Sequence, residues 1–233
     1  GANEGIHLDN VDLSTLTGDS VSANGLYGIY LVNGSETNTI NSNSAIGNSN
    51  DNIILNGSSG NTVSNNMANS SAASNGLYAT TNANNNTFSN NTANSNGGYG
   101  IQLQSNSGNA VTGNTASSNA WDGIRLTSAS NSIVRNNTVK SNVQGGVGIS
   151  ASDTNSVTQN DISVSDTGIR IMGASFNNLI SKNNVTASNI NHVDNSSGNA
   201  QTLSRNWWGT TDEVTITAKF NDAVSAFRTY RIA

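Results

Sequence analysis

Hydrophobic residues in this chain come in short alternations and never in long runs. Residues 99–119 show the pattern: Ile101 and Leu103 flank a polar residue, Val111 and Ala116 stand among small polar residues, and Asn recurs at 109, 114 and 119. Alternation with a two-residue period is the mark of a strand with one buried face. Three such segments separated by Gly, Ser and Asn predict three short strands, one turn of a three-sided coil.

The same turn is copied along the chain. Its opening pair, Gly100-Ile101, recurs as Gly5-Ile6, Gly28-Ile29, Asn52-Ile53, Gly76-Leu77, Gly123-Ile124, Gly148-Ile149 and Gly168-Ile169, a step of about 23 residues that falls in the range of solenoids. A second landmark, Asn before a small or polar residue and then an apolar one, keeps the same step at Asn38, Asn61, Asn86, Asn109, Asn131, Asn155 and Asn178. Two landmarks in phase predict an all-β fold: a single-stranded right-handed parallel β-helix of about nine coils, roughly 40–45 Å long at the spacing of paired strands.

Each part of the repeat has an expected role. In Gly-Ile-x-Leu the apolar residues face inward and x faces out; the Gly before the strand supplies a corner through positive φ. The second strand is centred on Ile40, Val63, Phe88, Val111, Ile133, Val157 and Ile180, the third on Ala45, Met67, Ala93, Ala116, Val139, Ile162 and either Val185 or Ala187. Two Asn columns, 38/61/86/109/131/155/178 and 43/66/91/114/137/160/184, are expected to stack as amide ladders. The step from Gly123 to Gly148 is 25 residues and the next, to Gly168, is 20, which predicts a local bulge.

The ends differ from the middle. Residues 9–24 follow the repeat poorly, with Leu13, Leu16 and Val21 as inward candidates, and no helix or polar strand precedes Ile6. An unprotected sheet edge there favours end-to-end self-association. Trp207-Trp208-Gly209 interrupts the repeat at the other end, and larger side chains follow. The expected division is a β-helix over 1–206 and a C-terminal capping segment over 207–233.

Composition sharpens this picture. With 33% hydrophobic and 10% charged residues among 233, the chain is too polar for an ordinary core, yet it lacks the charge and Pro of disordered chains. Stacked coils resolve the conflict, because each winding needs few inward residues. There is no Cys and no Pro, which removes disulfides and thiolate metal sites. No run approaches a membrane span, and a net charge of -5 is wrong for nucleic acid. His7 and His192 sit at opposite ends and Met67 and Met172 are expected as core fillers, so no metal or other cofactor is predicted.

The Gly-Ile-x-Leu…Ser-x-x-Asn-x-Val-x-x-Asn repeat resembles the parallel β-helix repeat of NosD-like surface and periplasmic proteins, pectate-lyase-like enzymes and mannuronan epimerases. The Asn206-Trp207-Trp208-Gly209…Asp212 ending is similar to the terminus of NosD-like domains. The resemblance implies a secreted, cell-surface or periplasmic protein and, from the pectate-lyase-like members, a groove along the first strand and the turn before it. Here that face reads His7, Tyr30, Ile54, Tyr78, Gln102, Arg125, Ser150 and Arg170, flanked by Glu4, Tyr27, Asp51, Asn75, Tyr99, Asp122, Val147 and Thr167.

Four of the five Tyr fall in these two columns. Tyr27, Tyr30, Tyr78, Tyr99, Gln102, Asp122, Arg125 and Arg170 are therefore the candidate glycan-binding residues, with rings for the apolar face of a sugar and polar groups for its hydroxyls. Acid/base chemistry has one weak constellation, Glu4, His7, Tyr30 and Asp51. The Asp-Pro-His motif of the epimerases is missing. The expected function is a non-catalytic structural, adhesive or glycan-contacting solenoid; the alternative is a polysaccharide lyase, epimerase or hydrolase using the same face.

Overall fold

The computed structural model describes residues 3–222. Three parallel sheets run along the coil axis. The first holds ten strands, from Ile6–Asp9 through Ile29–Val32, Ile53–Asn56, Leu77–Thr80, Ile101–Ser107, Asp122–Ser130, Gly145–Ser150, Thr167–Met172 and Asn191–Asn195 to Phe220–Asp222. The second holds nine three-residue strands, Thr15–Thr17 to Thr202–Ser204. The third is interrupted at Thr92, which makes single bridges to Met67 and Thr115. Ile101 pairs with Ile124 in parallel register, so like residues stack one winding apart.

The core is four stacked columns. Ile29, Ile53, Leu77, Ile101, Ile124, Val147 and Ile169 form one, Leu31, Leu55, Leu103, Leu126, Ile149 and Ile171 the next, and the second and third sheets add Ile40 to Ile180 and Ala45 to Val185, all fully buried. At about 1.5–3 kcal/mol for each large side chain, these columns supply the driving force. The corners would waste it, since a turning backbone leaves ladder groups unpaired at about 1–3 kcal/mol each. Buried Asn prevents that loss. Asn91, for example, accepts the Asn66 amide at 2.9 Å and donates to the Val63 carbonyl at 2.8 Å and to Asn114 Oδ1 at 3.0 Å.

The structure corrects several details of the columns. There are three Asn columns, not two: Asn48, Asn96, Asn119 and Asn142 line the third corner, all buried. In the first column Ser132, not Asn131, is the buried residue, so Val134 faces inward and Ile133 is exposed. Asn183 replaces Asn184 in the second. Ala68 points inward and Met67 outward, at 44% exposure, and Leu13, at 81%, is a surface residue. In each case a one-residue slip moves a side chain to the opposite face. Met172 is half-buried, with its sulfur against Arg170.

The corners are made differently from expectation as well. Positive φ belongs to the residue before the ladder position, as in Asn65, Asn90, Asn136 and Gln159, a conformation Asn tolerates. The Gly before the first strand serves space: a Cβ on Gly123 would lie 2.4 Å from Val139 Cγ1 and 2.5 Å from Asn142 Nδ2. The predicted bulge is absent, because Val147 pairs with Ile124 and Ile169, so Gly146-Val147 is the true landmark. The first coil is regular, its three strands pairing in register with the second coil.

At the C-terminal end the two Trp separate. Trp208 is buried, 4.8 Å edge-on from Phe220 and 6.0 Å from His192, while Trp207 is 43% exposed. The helix Glu213–Ala218 starts at Asp212, whose carboxylate accepts the Val214 and Thr215 amides, and Phe220–Asp222 adds a strand beside Asn191–Asn195. Phe227 to Ala233, which the sequence assigns to the cap, lie outside the described residues. No helix among the described residues is long and apolar enough to cross a membrane.

Candidate functional site

The outward column of the first sheet is His7, Tyr30, Ile54, Tyr78, Gln102, Arg125, Gly148, Arg170 and Asp194. Gly148 takes the place expected for Ser150, and Gly145 that of Val147 in the flanking turn column. Both changes follow from the register correction. Along this face the candidates divide into two groups.

The first group is aromatic and lies at the N-terminal end. His7 stacks on Tyr30 at 4.9 Å, and Tyr27 tilts against Tyr30 at the same distance. Asn56 donates to the Tyr30 hydroxyl at 3.3 Å. Burial and the charge of Asp51 raise the Tyr27 phenol above its usual value. Asp51 itself leaves the predicted acid cluster. It is buried and turned to the next winding, accepting the Ser74 hydroxyl at 2.6 Å, the Asn75 amide at 2.9 Å and Asn75 Nδ2 at 2.8 Å. Desolvation raises its pKa, opposed by these hydrogen bonds.

The second group forms a groove of about 400 Å³ walled by Ser74, Asn75, Tyr78, Tyr99, Gln102, Gln104, Trp121, Arg125 and Thr127. A polar chain runs across its floor: Asn75 Nδ2 donates to Asp51 and to Gln102 Oε1 at 3.1 Å, Gln102 donates to Gln104 Oε1 at 3.1 Å, and the Tyr78 hydroxyl donates to the same oxygen at 2.9 Å. Aromatic surface stands beside it. Tyr99 and Trp121 meet edge to face at 4.8 Å, and the Arg125 guanidinium lies 5.7 Å from the Tyr99 ring centre. Burial raises the phenols of Tyr78 and Tyr99. Asp122, fully buried, is bridged by Arg125 and by Arg170, each at 3.1 Å.

Sequence reasoning singled out Tyr78, Tyr99, Gln102 and Arg125 of the groove, with Asn75 in the flanking column, and missed Ser74, Gln104, Trp121 and Thr127. Gln104 is visible by alternation, two residues beyond Gln102 on the same face. Trp121 sits in a turn outside both columns, so no period announces it; its position is set by the Trp121 amide donating to the Gly98 carbonyl at 3.1 Å. Another hollow, about 510 Å³ against the short helix, is lined among the described residues by Glu213, Val214, Thr217 and Ala218. Among the described residues no three His, Asp or Glu side chains cluster as a metal site would require.

No curated protein matches this chain in sequence. Among solved structures, the A-module of mannuronan C-5 epimerase AlgE4 from Azotobacter vinelandii superposes with a TM-score of 0.81 at 16% identity, covering 94% of this chain and 64% of that one. The periplasmic alginate epimerase AlgG gives 0.75 at 17% identity over 79% and 48%, and the Agl-KA catalytic domain 0.70 at 15% over 99% and 55%. The chain thus spans roughly half to two thirds of their length, and at such identity the likeness is one of fold. The family model "Right handed beta helix region" matches residues 4–162 and again 52–207, a shift from 4 to 52 that fits two windings of a repeat. On that match and the parallel stacking of its coils, the chain belongs to the right-handed β-helix family.

Proposed function

We propose that this protein holds a polysaccharide along the outward face of its first sheet, with the groove between Tyr78 and Trp121 as the main contact. The observation that carries the reading is the meeting, in one groove, of aromatic surface with a chain of amide and hydroxyl groups. A sugar ring is apolar on its CH faces and polar at its rim, and pockets that orient such ligands combine apolar walls with a few placed polar groups. The solved proteins of like fold include two named as epimerases of alginate or mannuronan, which supports a carbohydrate ligand. A secreted, surface or periplasmic setting fits the same reading, as does association through the solenoid ends. Affinity electrophoresis through gels containing different polysaccharides tests it. Retention by at least one polymer, lost in Tyr99→Ala, is expected; equal mobility in every gel overturns the proposal.

A second reading, that the face also processes its polymer, is favoured by Asp51, a buried carboxyl with a raised pKa that accepts from the groove residues Ser74 and Asn75. Its geometry suits proton transfer better than hydrolysis. Asp51 and Asp122 stand three windings apart, about 14 Å at the strand spacing, beyond the roughly 5–9.5 Å of paired glycosidase carboxylates. Unsaturated or reducing-end products that vanish in Asp51→Asn support processing; retention without products supports binding alone.

A further inference from the structure

We infer that the polysaccharide taken by this face is electrically neutral, not a polyuronate or other acidic chain. The inference rests on the reading of the face as a polysaccharide site and adds the class of polymer. A chain carrying a carboxylate on its sugars needs cations that are not already engaged. Among the described residues, the strands of the first sheet carry two Arg and no Lys, and both Arg are directed onto one internal carboxylate.

That carboxylate is built in. Arg125 Nη1 meets Asp122 Oδ2 and Arg170 Nη1 meets Oδ1, each at 3.1 Å, although Arg170 is 48 residues away. Asp122 is fully buried beneath them. Two glycines of the winding between make the room: a Cβ on Gly148 would stand 2.2 Å from Asp122 Oδ2, and one on Gly145 2.6 Å from Oδ1. The guanidiniums have further partners, Arg125 Nε donating to Thr127 Oγ1 at 3.1 Å and Arg170 Nη1 to Gln144 Oε1 at 3.0 Å. Asp51 lies behind the Ser74 and Asn75 wall, accepting from both. An incoming carboxylate would compete with Asp122 for both Arg and would be desolvated without a new partner. Hydroxyls meet no such obstacle, because amides and the Tyr78 phenol offer both donors and acceptors.

The test runs the wild-type protein through native gels containing neutral polymers (galactomannan, xylan, mixed-linkage glucan, dextran) or acidic ones (polymannuronate, polygalacturonate), at low and at physiological salt. The expected result is retention by at least one neutral polymer, insensitive to salt and about tenfold weaker in Trp121→Ala. Stronger retention by a polyuronate than by every neutral polymer, weakening with salt as an exposed charge contact does, overturns the inference and leaves the polysaccharide site standing. Absence of retention by any polymer removes the site itself, and the inference with it. Asp122→Asn, checked for its fold by circular dichroism, supplies the converse: unmasking the two Arg brings polyuronate retention that the wild type lacks, and a folded variant without that gain contradicts the role given to Asp122.

Discussion

The middle windings and the last two share the Asn ladder at the second corner, which runs on through Asn183 to Asn206, but differ at the third. From about residue 38 to 160, nearly every corner carries a buried Asn whose amide serves the backbone of the coil before it. At the third corner of the last windings the column passes from Asn142 to Ser165 and Ser188. The Ser165 hydroxyl is buried with no hydrogen-bond partner among the described residues, and Ser188 faces His192 Nδ1 at 3.4 Å. What takes over is aromatic burial: Trp208 against Phe220 and His192, with Lys219 Nζ donating to the Ser188 and Asn189 carbonyls at 3.1 Å. A coil with neighbours on both sides can share its polar groups across the stack. An end coil has one neighbour, so its final rung needs side chains that cover it.

The strongest way to break this comparison is Asn114→Ala. It strips partners from the Asn91 amide, the Phe88 carbonyl and the Asn137 side chain, and with several buried orphans at about 1–3 kcal/mol each the expected loss is roughly 3–5 kcal/mol in denaturant unfolding. A loss under about 1 kcal/mol would mean that the ladder is ornamental. Next comes Trp208→Ala, at about 3 kcal/mol for a buried aromatic. Because solenoid stability is a sum over neighbouring repeats, the damage is expected in residues 179–208. Hydrogen exchange should speed up there and stay unchanged at 53–126; uniform acceleration would contradict separate modes of support.

The smallest effect concerns pH. Burial, with a contribution from Lys219, lowers the His192 pKa below the ordinary histidine value of 6.5, so the folded end binds protons more weakly than the unfolded chain. The stability present above pH 6.5 is therefore lost as pH falls below it, through the lowered folded pKa. The groups around the ring are Ser188, Trp208 and the Lys219 ammonium, with the Asp194 carboxylate on the same strand. Exchange measured at successive pH values should show the C-terminal windings loosening on acidification while the middle holds, and His192→Gln should abolish the difference.

Most of the core could be read directly from the chain. Ile101, Ile124, Leu103 and Leu126 fall where the two-residue alternation places them, since a parallel stack puts chemically like residues side by side. Errors arose where two similar residues stood next to each other. Asn131 beside Ser132, Ile133 beside Val134, and Asn183 beside Asn184 satisfy the same pattern, and packing space chooses between them. The candidate site was half legible. Tyr78, Gln102 and Arg125 share one column, whereas Trp121 reaches the groove from a turn whose path follows from the Gly98 contact.

The repeat length, the inward columns and the presence of corner amides belong to the sequence, because each depends on residues one winding apart that the period brings together. Which member of a doublet turns inward, where Gly146 rather than Gly148 opens a coil, and how Asp122 comes to lie under Arg170 were decided in three dimensions. Those outcomes depend on the volume left by neighbouring windings and on contacts that skip a coil, which a linear period does not encode.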